Sequence, residues 1–288
     1  MSKSVSSPSR HILALSCDDR PGIVAAVTGE LAARGGNIVE AQQFDDTRGS
    51  RFFMRVVFDI DAPQGFRDSF AGIAETYGMD WRMREADRPK RVMILVSKFD
   101  HCLADLLYRA RIGELNMEVV AVMSNHPADA VLGRVDIGAI PFHHLPITRA
   151  TKPEQEAKLS TLIEETGAEL VVLARYMQIL SDGMSRKLQG RCINIHHSFL
   201  PGFKGARPYH QAHRRGVKMI GASAHFVTPD LDEGPIIAQG VEPVSHADTP
   251  ERLIAKGRSI EQRVLARAVH AVLDDRVFLN GARTVVFD

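Results

Sequence analysis

The chain has little cysteine: Cys17, Cys102 and Cys192 stand far apart in 288 residues, with no CxxC pair. A small, odd set of thiols excludes a disulfide framework and fits a reducing compartment, with the thiols as packing groups. Net charge is nearly absent as well. Thirty-six basic against thirty-five acidic side chains leave +1, so neither a basic nucleic-acid face nor an acidic tail is expected. No apolar run approaches the roughly 18 residues of a membrane span, and the opening MSKSVSSPSR carries no apolar core of a secretory signal. No nucleic-acid partner and no membrane are expected, and the predicted setting is cytoplasmic. Glycine is missing in one telling place, from Arg91 to Ile112.

What is present is an average globular composition, 44% apolar and 25% charged, at a length that suits about two domains. The first part reads strand, helix, strand, strand, helix, strand. Strand-like runs lie over 11–16, 37–44, 51–60 and 80–84, and helical spacing follows Pro21-Gly22 and again over 66–77. This is a ferredoxin-like βαββαβ domain, predicted over 8–87. The charged stretch Glu85-Ala86-Asp87-Arg88-Pro89-Lys90 is the linker. From 88 to 288 apolar strand runs alternate with helical patterns, and Glu169-Leu170-Val171-Val172-Leu173-Ala174 is apolar on both faces. That is the mark of a doubly wound, mostly parallel α/β sheet, whose ligands sit beyond the carboxyl ends of the strands.

Asp19-Arg20-Pro21-Gly22-Ile23-Val24 and Gly35-Gly36-Asn37-Ile38 resemble ACT domains. The resemblance implies a small amino-acid effector near Asp19, Gly22 and Asn37, or edge-to-edge pairing with a second copy; a purely structural domain is the other reading. An exposed edge strand there makes a homo-oligomer the expectation.

Chemistry concentrates at the end of the 192–195 strand, in Asn194-Ile195-His196-His197-Ser198-Phe199-Leu200-Pro201. Asn194 and His196 are two apart and share a strand face. An amide can donate to a developing oxyanion, and an imidazole can donate to it or protonate a leaving amine. His197, one residue on, is expected to face away from Asn194 yet share its loop, where it reaches a neighbouring backbone carbonyl or lines the substrate entrance, with packing ranked above catalysis. A second cluster, His225-Phe226-Val227-Thr228-Pro229-Asp230-Leu231-Asp232-Glu233-Gly234-Pro235, offers three carboxylates, any of which could hold a water or an imidazole.

Together the two clusters resemble the 10-formyltetrahydrofolate-dependent formyltransferase family, and the resemblance assigns the catalytic trio to Asn194, His196 and Asp232, with His225 in support. It places Arg175, Met177, Ile179 and Leu180 at the folate pocket, with Ser198 and Gly205 also at the substrate. A transferase of this family that acts on a nucleotide amine cradles phosphate in a glycine-rich turn after the first strand. The glycine-free 91–112 stretch lacks that turn, because backbone N–H groups wrap a phosphate most easily at glycine. Water is the remaining acceptor. The whole arrangement resembles the members that hydrolyse 10-formyltetrahydrofolate to formate and tetrahydrofolate, with formate available to purine synthesis, folate as substrate and no cofactor. Rival readings are transfer to an amine acceptor, a metallohydrolase using His210-x-x-His213, and a non-catalytic sensor. A metal is not expected, because His196 and His197 alternate on a strand.

Overall fold

The computed structural model describes residues 8–202 and 208–288, which divide into two compact units. In the first, β1 (Ser9–Asp18), α1 (Ile23–Ala33), β2 (Asn37–Asp46), β3 (Arg51–Ile60), α2 (Pro63–Tyr77) and β4 (Asp80–Glu85) build an antiparallel sheet ordered β2-β3-β1-β4. Period-two alternation sends Leu13, Leu15 and Cys17 from β1, and Phe52, Met54, Val56 and Phe58 from β3, to one face. Ile23, Val27 and Leu31 of α1 and Phe66, Phe70 and Ala74 of α2 cover that face at helical spacing.

The second unit contains β5 (Lys90–Val96), α3 (His101–Arg111), β6 (Met117–Ser124), α4 (Ala128–Leu132), β7 (Phe142–His144), α5 (Lys152–Glu165), β8 (Leu170–Leu173), α6 (Asp182–Lys187), β9 (Cys192–His196), α7 (Pro208–Arg215), β10 (Met219–Phe226), β11 (Ile236–Pro243) and α8 (Pro250–Leu273). The seven strands run in the order β11-β10-β9-β8-β5-β6-β7. β9, β8, β5, β6 and β7 are parallel, while β10 pairs antiparallel with both β9 and β11. Every residue of β8 is buried, as a central parallel strand under helices requires. Among the described residues no helix is long and apolar enough to cross a membrane.

The chain ends in a two-stranded sheet of β12 (Val277–Asn280) and β13 (Arg283–Val286). The sequence reading carries the second domain through residue 288. In the structure Asp274–Phe278 and Val285–Asp288 group with the first unit. Phe278 and Phe287 pack with Ala14 and Phe53, and the buried Asp275 carboxylate takes Arg82 at 2.7 Å and Arg84 at 2.5 Å.

Candidate active site

Strand register assembles the centre. β10 lies against β9 with Ser223 opposite His196 and His225 opposite Asn194, so residues about 30 apart in sequence meet side by side on one face. The chain then turns back on itself, and the Phe226 N–H donates to the Pro235 carbonyl at 2.9 Å. Gly234 makes that return possible, since a Cβ there would stand 1.7 Å from the Phe226 carbonyl oxygen. Asp232, at the head of the loop, adopts φ 57°, and Arg175 on the facing loop adopts φ 64°. Both are left-handed conformations uncommon outside glycine, and they occur where two side chains must be aimed into one cavity.

The polar contacts order the groups. His225 Nδ1 lies 2.9 Å from the Phe226 carbonyl oxygen, which can only accept, so Nδ1 carries the proton and Nε2 is the lone-pair nitrogen. The Asn194 amide donates to that Nε2 at 3.2 Å, which fixes the direction of its NH2 and leaves its second N–H for the cavity. Burial pushes the His225 imidazole below its ordinary value, against the Phe226 bond and the Asp232 charge, and keeps it neutral. His196 Nδ1 stands 3.2 Å from Asp232 Oδ1, while His225 Nε2, at 3.8 Å from the same oxygen, is beyond hydrogen-bond range. Burial alone would raise the Asp232 carboxyl. The His196 contact and the neighbouring imidazoles outweigh it and hold Asp232 below its usual range, as a carboxylate. Among the described residues, His196 Nε2 is buried without a partner.

These groups open on a cavity of about 650 Å³, a volume suited to a drug-sized ligand. Met177, Ile179 and Leu231, all more than half exposed or nearly so, and the buried Leu180 supply apolar wall. The 175–180 loop is pinned where β5 ends: Met177 N–H donates to Ser97 Oγ at 2.9 Å, and that hydroxyl donates to Asn125 Oδ1 at 2.6 Å. Of the residues anticipated at the site, Asn194, His196, Asp232, His225, Arg175, Met177, Ile179 and Leu180 all line the cavity. Ser198 does not. It is buried beside the wall, its hydroxyl donating to the Gly202 carbonyl at 3.3 Å and its carbonyl accepting from Ser223 Oγ at 3.1 Å, so it shapes the turn after β9. Gly205 lies outside the described residues. In the first unit, Gly22 caps α1 at φ 96°, and Asp19, just after β1, and Asn37, the first residue of β2, are exposed. Among the described residues no hydrogen bond or ion pair links these three. The β2 edge of that sheet exposes Ile38, Val39 and Phe44.

Besides lining the cavity, Arg175 makes contacts the sequence did not announce. Its guanidinium lies over the Phe99 ring at 5.2 Å, and its Nε is 3.3 Å from Glu261 Oε2, off the line of the N–H and therefore an ion pair without a directed bond. Glu261, 1% exposed on α8, also takes His101 Nε2 at 2.8 Å and the Tyr209 hydroxyl at 2.6 Å. Burial alone would raise this carboxyl, and His101, Arg175 and Tyr209 together bring it below its ordinary value. Tyr209 reaches it across Gly257, where a Cβ would stand 2.1 Å from the ring. Sequence reasoning missed Glu261, Tyr209 and His101, and no local pattern announces them.

His197 is open, on the sequence alone, between a packing role and a place at the substrate entrance. It lines the cavity beside His196, with ring centroids 5.0 Å apart, because β9 stops at His196 and strand alternation no longer governs the next residue. Among the described residues, the group of ligand atoms close enough to share a metal is His101, Cys102 and Glu261. Its His and Glu are already bonded to each other, and burial drives the Cys102 thiol well above its ordinary range. His210 and His213 enter no such group.

A formyl transferase family model matches residues 90–269, and an ACT domain model matches residues 11–68. The chain is 53% identical over 281 residues to a formyltetrahydrofolate deformylase of Corynebacterium sp. (strain P-1), spanning 96% of this chain and 98% of the relative. A crystal structure of formyltetrahydrofolate deformylase from Burkholderia mallei ATCC 23344 matches with TM-score 0.93 and 53% identity, covering 98% of this chain and all of that one. Glycinamide ribonucleotide transformylase 1 from Symbiobacterium toebii matches at TM-score 0.64 and 31% identity, over 70% of this chain and 95% of its own.

Proposed function

The chain belongs to the formyltetrahydrofolate deformylase family, and from that premise we propose how its site hydrolyses 10-formyltetrahydrofolate to tetrahydrofolate and formate. The apolar wall of Met177, Ile179, Leu180 and Leu231 takes the pterin, which brings the N10-formyl group to the polar centre. The free N–H of Asn194 and the Nε2–H of charged His196 donate to the formyl oxygen as it becomes an oxyanion. Asp232 carries the work on two sides. Its Oδ1 holds His196 Nδ1–H and so stabilises the imidazolium, while its other oxygen accepts the proton of the attacking water. As the tetrahedral intermediate collapses, the bond from carbon to N10 breaks and His196 Nε2 delivers its proton to N10. Tetrahydrofolate departs, and the carbon leaves as formate.

The observation that carries this reading is the contact between Asp232 and His196 in the lining of the apolar-walled cavity, with Nε2 of the same ring left unpartnered among the described residues. Asp232→Asn keeps the shape, removes the charge and the base, and is expected to lower kcat by ~10²–10⁴-fold, the range of acid–base groups. Near-normal formate release by that variant would remove Asp232 from the mechanism.

A further inference from the structure

One polar side chain on the cavity wall has no task in the steps above. His197 lines the cavity that the reacting trio and Glu261 also line, its ring tilted 32° against His196. Among the described residues, neither of its ring nitrogens has a hydrogen-bond partner in the protein. Polar groups in such surroundings are ordinarily satisfied, by water where protein offers nothing.

The neighbouring polar groups are committed elsewhere. Glu261 is saturated by His101, Tyr209 and Arg175, and Tyr209 is locked against Gly257. The His197 ring beside them is left able to bind one small hydroxylic molecule.

We infer that His197 is a positioning residue for the nucleophile: its imidazole holds the attacking water against Asp232. This rests on the hydrolytic reading given above and assigns the water its second partner. The ring is suited to the task in its neutral form, which has one donor and one lone pair. Burial first, then the charges of Arg175 and His196, push His197 down to about 4, against the opposing pull of Glu261 and Asp232. It therefore stays an acceptor across the neutral range.

The test compares His197→Leu, His197→Ala and His197→Gln in the full chain, with Asp232→Asn beside them. Formate release from 10-formyltetrahydrofolate and thermal melting are measured for each. Removing the ring's hydrogen-bonding atoms is expected to lower kcat by roughly 10²-fold, the loss that follows from a misplaced reactant, with KM changed less than about threefold. Gln, which can accept and donate as the neutral ring does, is expected to recover most of that loss. A Leu or Ala variant that melts normally and keeps kcat within twofold overturns the inference. So does a loss that Gln fails to recover while its melting stays normal, since a packing role would produce it. Activity retained in Asp232→Asn strikes at the hydrolytic reading itself, and the His197 series is then read on its own ratio of Gln to Leu.

Discussion

His225 does no chemistry in this mechanism, yet the aim of Asn194 depends on it. Its Nδ1–H is spent on the Phe226 carbonyl, so its Nε2 can only accept, and that acceptance turns the Asn194 NH2 toward the cavity. His225→Leu should leave a partly buried amide unpaired, costing about 1–3 kcal/mol of stability. It should also lower kcat, up to the ~10²–10³-fold typical of a lost oxyanion donor. Chemical denaturation and steady-state kinetics would check the two effects separately, and a variant unchanged in kcat would show that Asn194 needs no guide. At this scale the sequence was informative where chemistry is local. Asn194 and His196 are two apart on a strand, and the 225–235 motif carries Asp232. His197 stayed open between packing and the substrate entrance, because strand alternation does not govern a residue one past the end of β9. Arg175 was placed at the pocket, and its ion pair with Glu261 was not legible, since it spans 86 positions and has no local signature.

At the scale of elements, α8 shows what sequence reading could not reach. Leu253, Ile260, Val264 and Leu265 give it an ordinary buried face, and Glu261 sits within that face as a charge with no visible partner in the neighbouring residues. Its partners come from α3, the 175–180 loop and α7. Gly257 likewise reads as a weak point in a helix, where alanine would normally gain about 1 kcal/mol. Here the added Cβ would fall 2.1 Å from the Tyr209 ring, so Gly257→Ala is expected to lower the melting temperature instead and to loosen the Tyr209–Glu261 bond. A rise in melting temperature would refute the packing described. The parallel strands β5, β6, β8 and β9 were legible because two-sided burial makes them continuous apolar runs. The antiparallel placement of β10, which brings His225 to Asn194, depends on pairing choices that no run of residues specifies.

For the whole molecule, buried ionisable groups link folding to pH. His197 is lowered from its ordinary 6.5 to about 4, so between those values the unfolded chain binds a proton that the folded chain resists. Its contribution is complete above 6.5 and is lost as pH falls toward 4; His225 is displaced in the same direction. Asp232 and Glu261, both depressed, add a second loss that begins as pH falls into the ordinary carboxylate range and continues below it. Melting temperature measured from pH 7 down to pH 4 should therefore fall, with a shallower slope in His197→Gln; equal slopes would contradict the burial assigned to that ring. Domain order was readable from composition and motif, whereas the grouping of Asp274–Phe278 and Val285–Asp288 with the first unit follows from aromatic and charge contacts made across nearly the whole chain length. Water, placed at this site, is the formyl acceptor in this mechanism. Turnover of 10-formyltetrahydrofolate in H₂¹⁸O with no amine added is the decisive measurement. Equal amounts of tetrahydrofolate and formate are expected, the formate carrying one ¹⁸O; absence of turnover until an amine is supplied, or formate without the label, would rule water out as the acceptor.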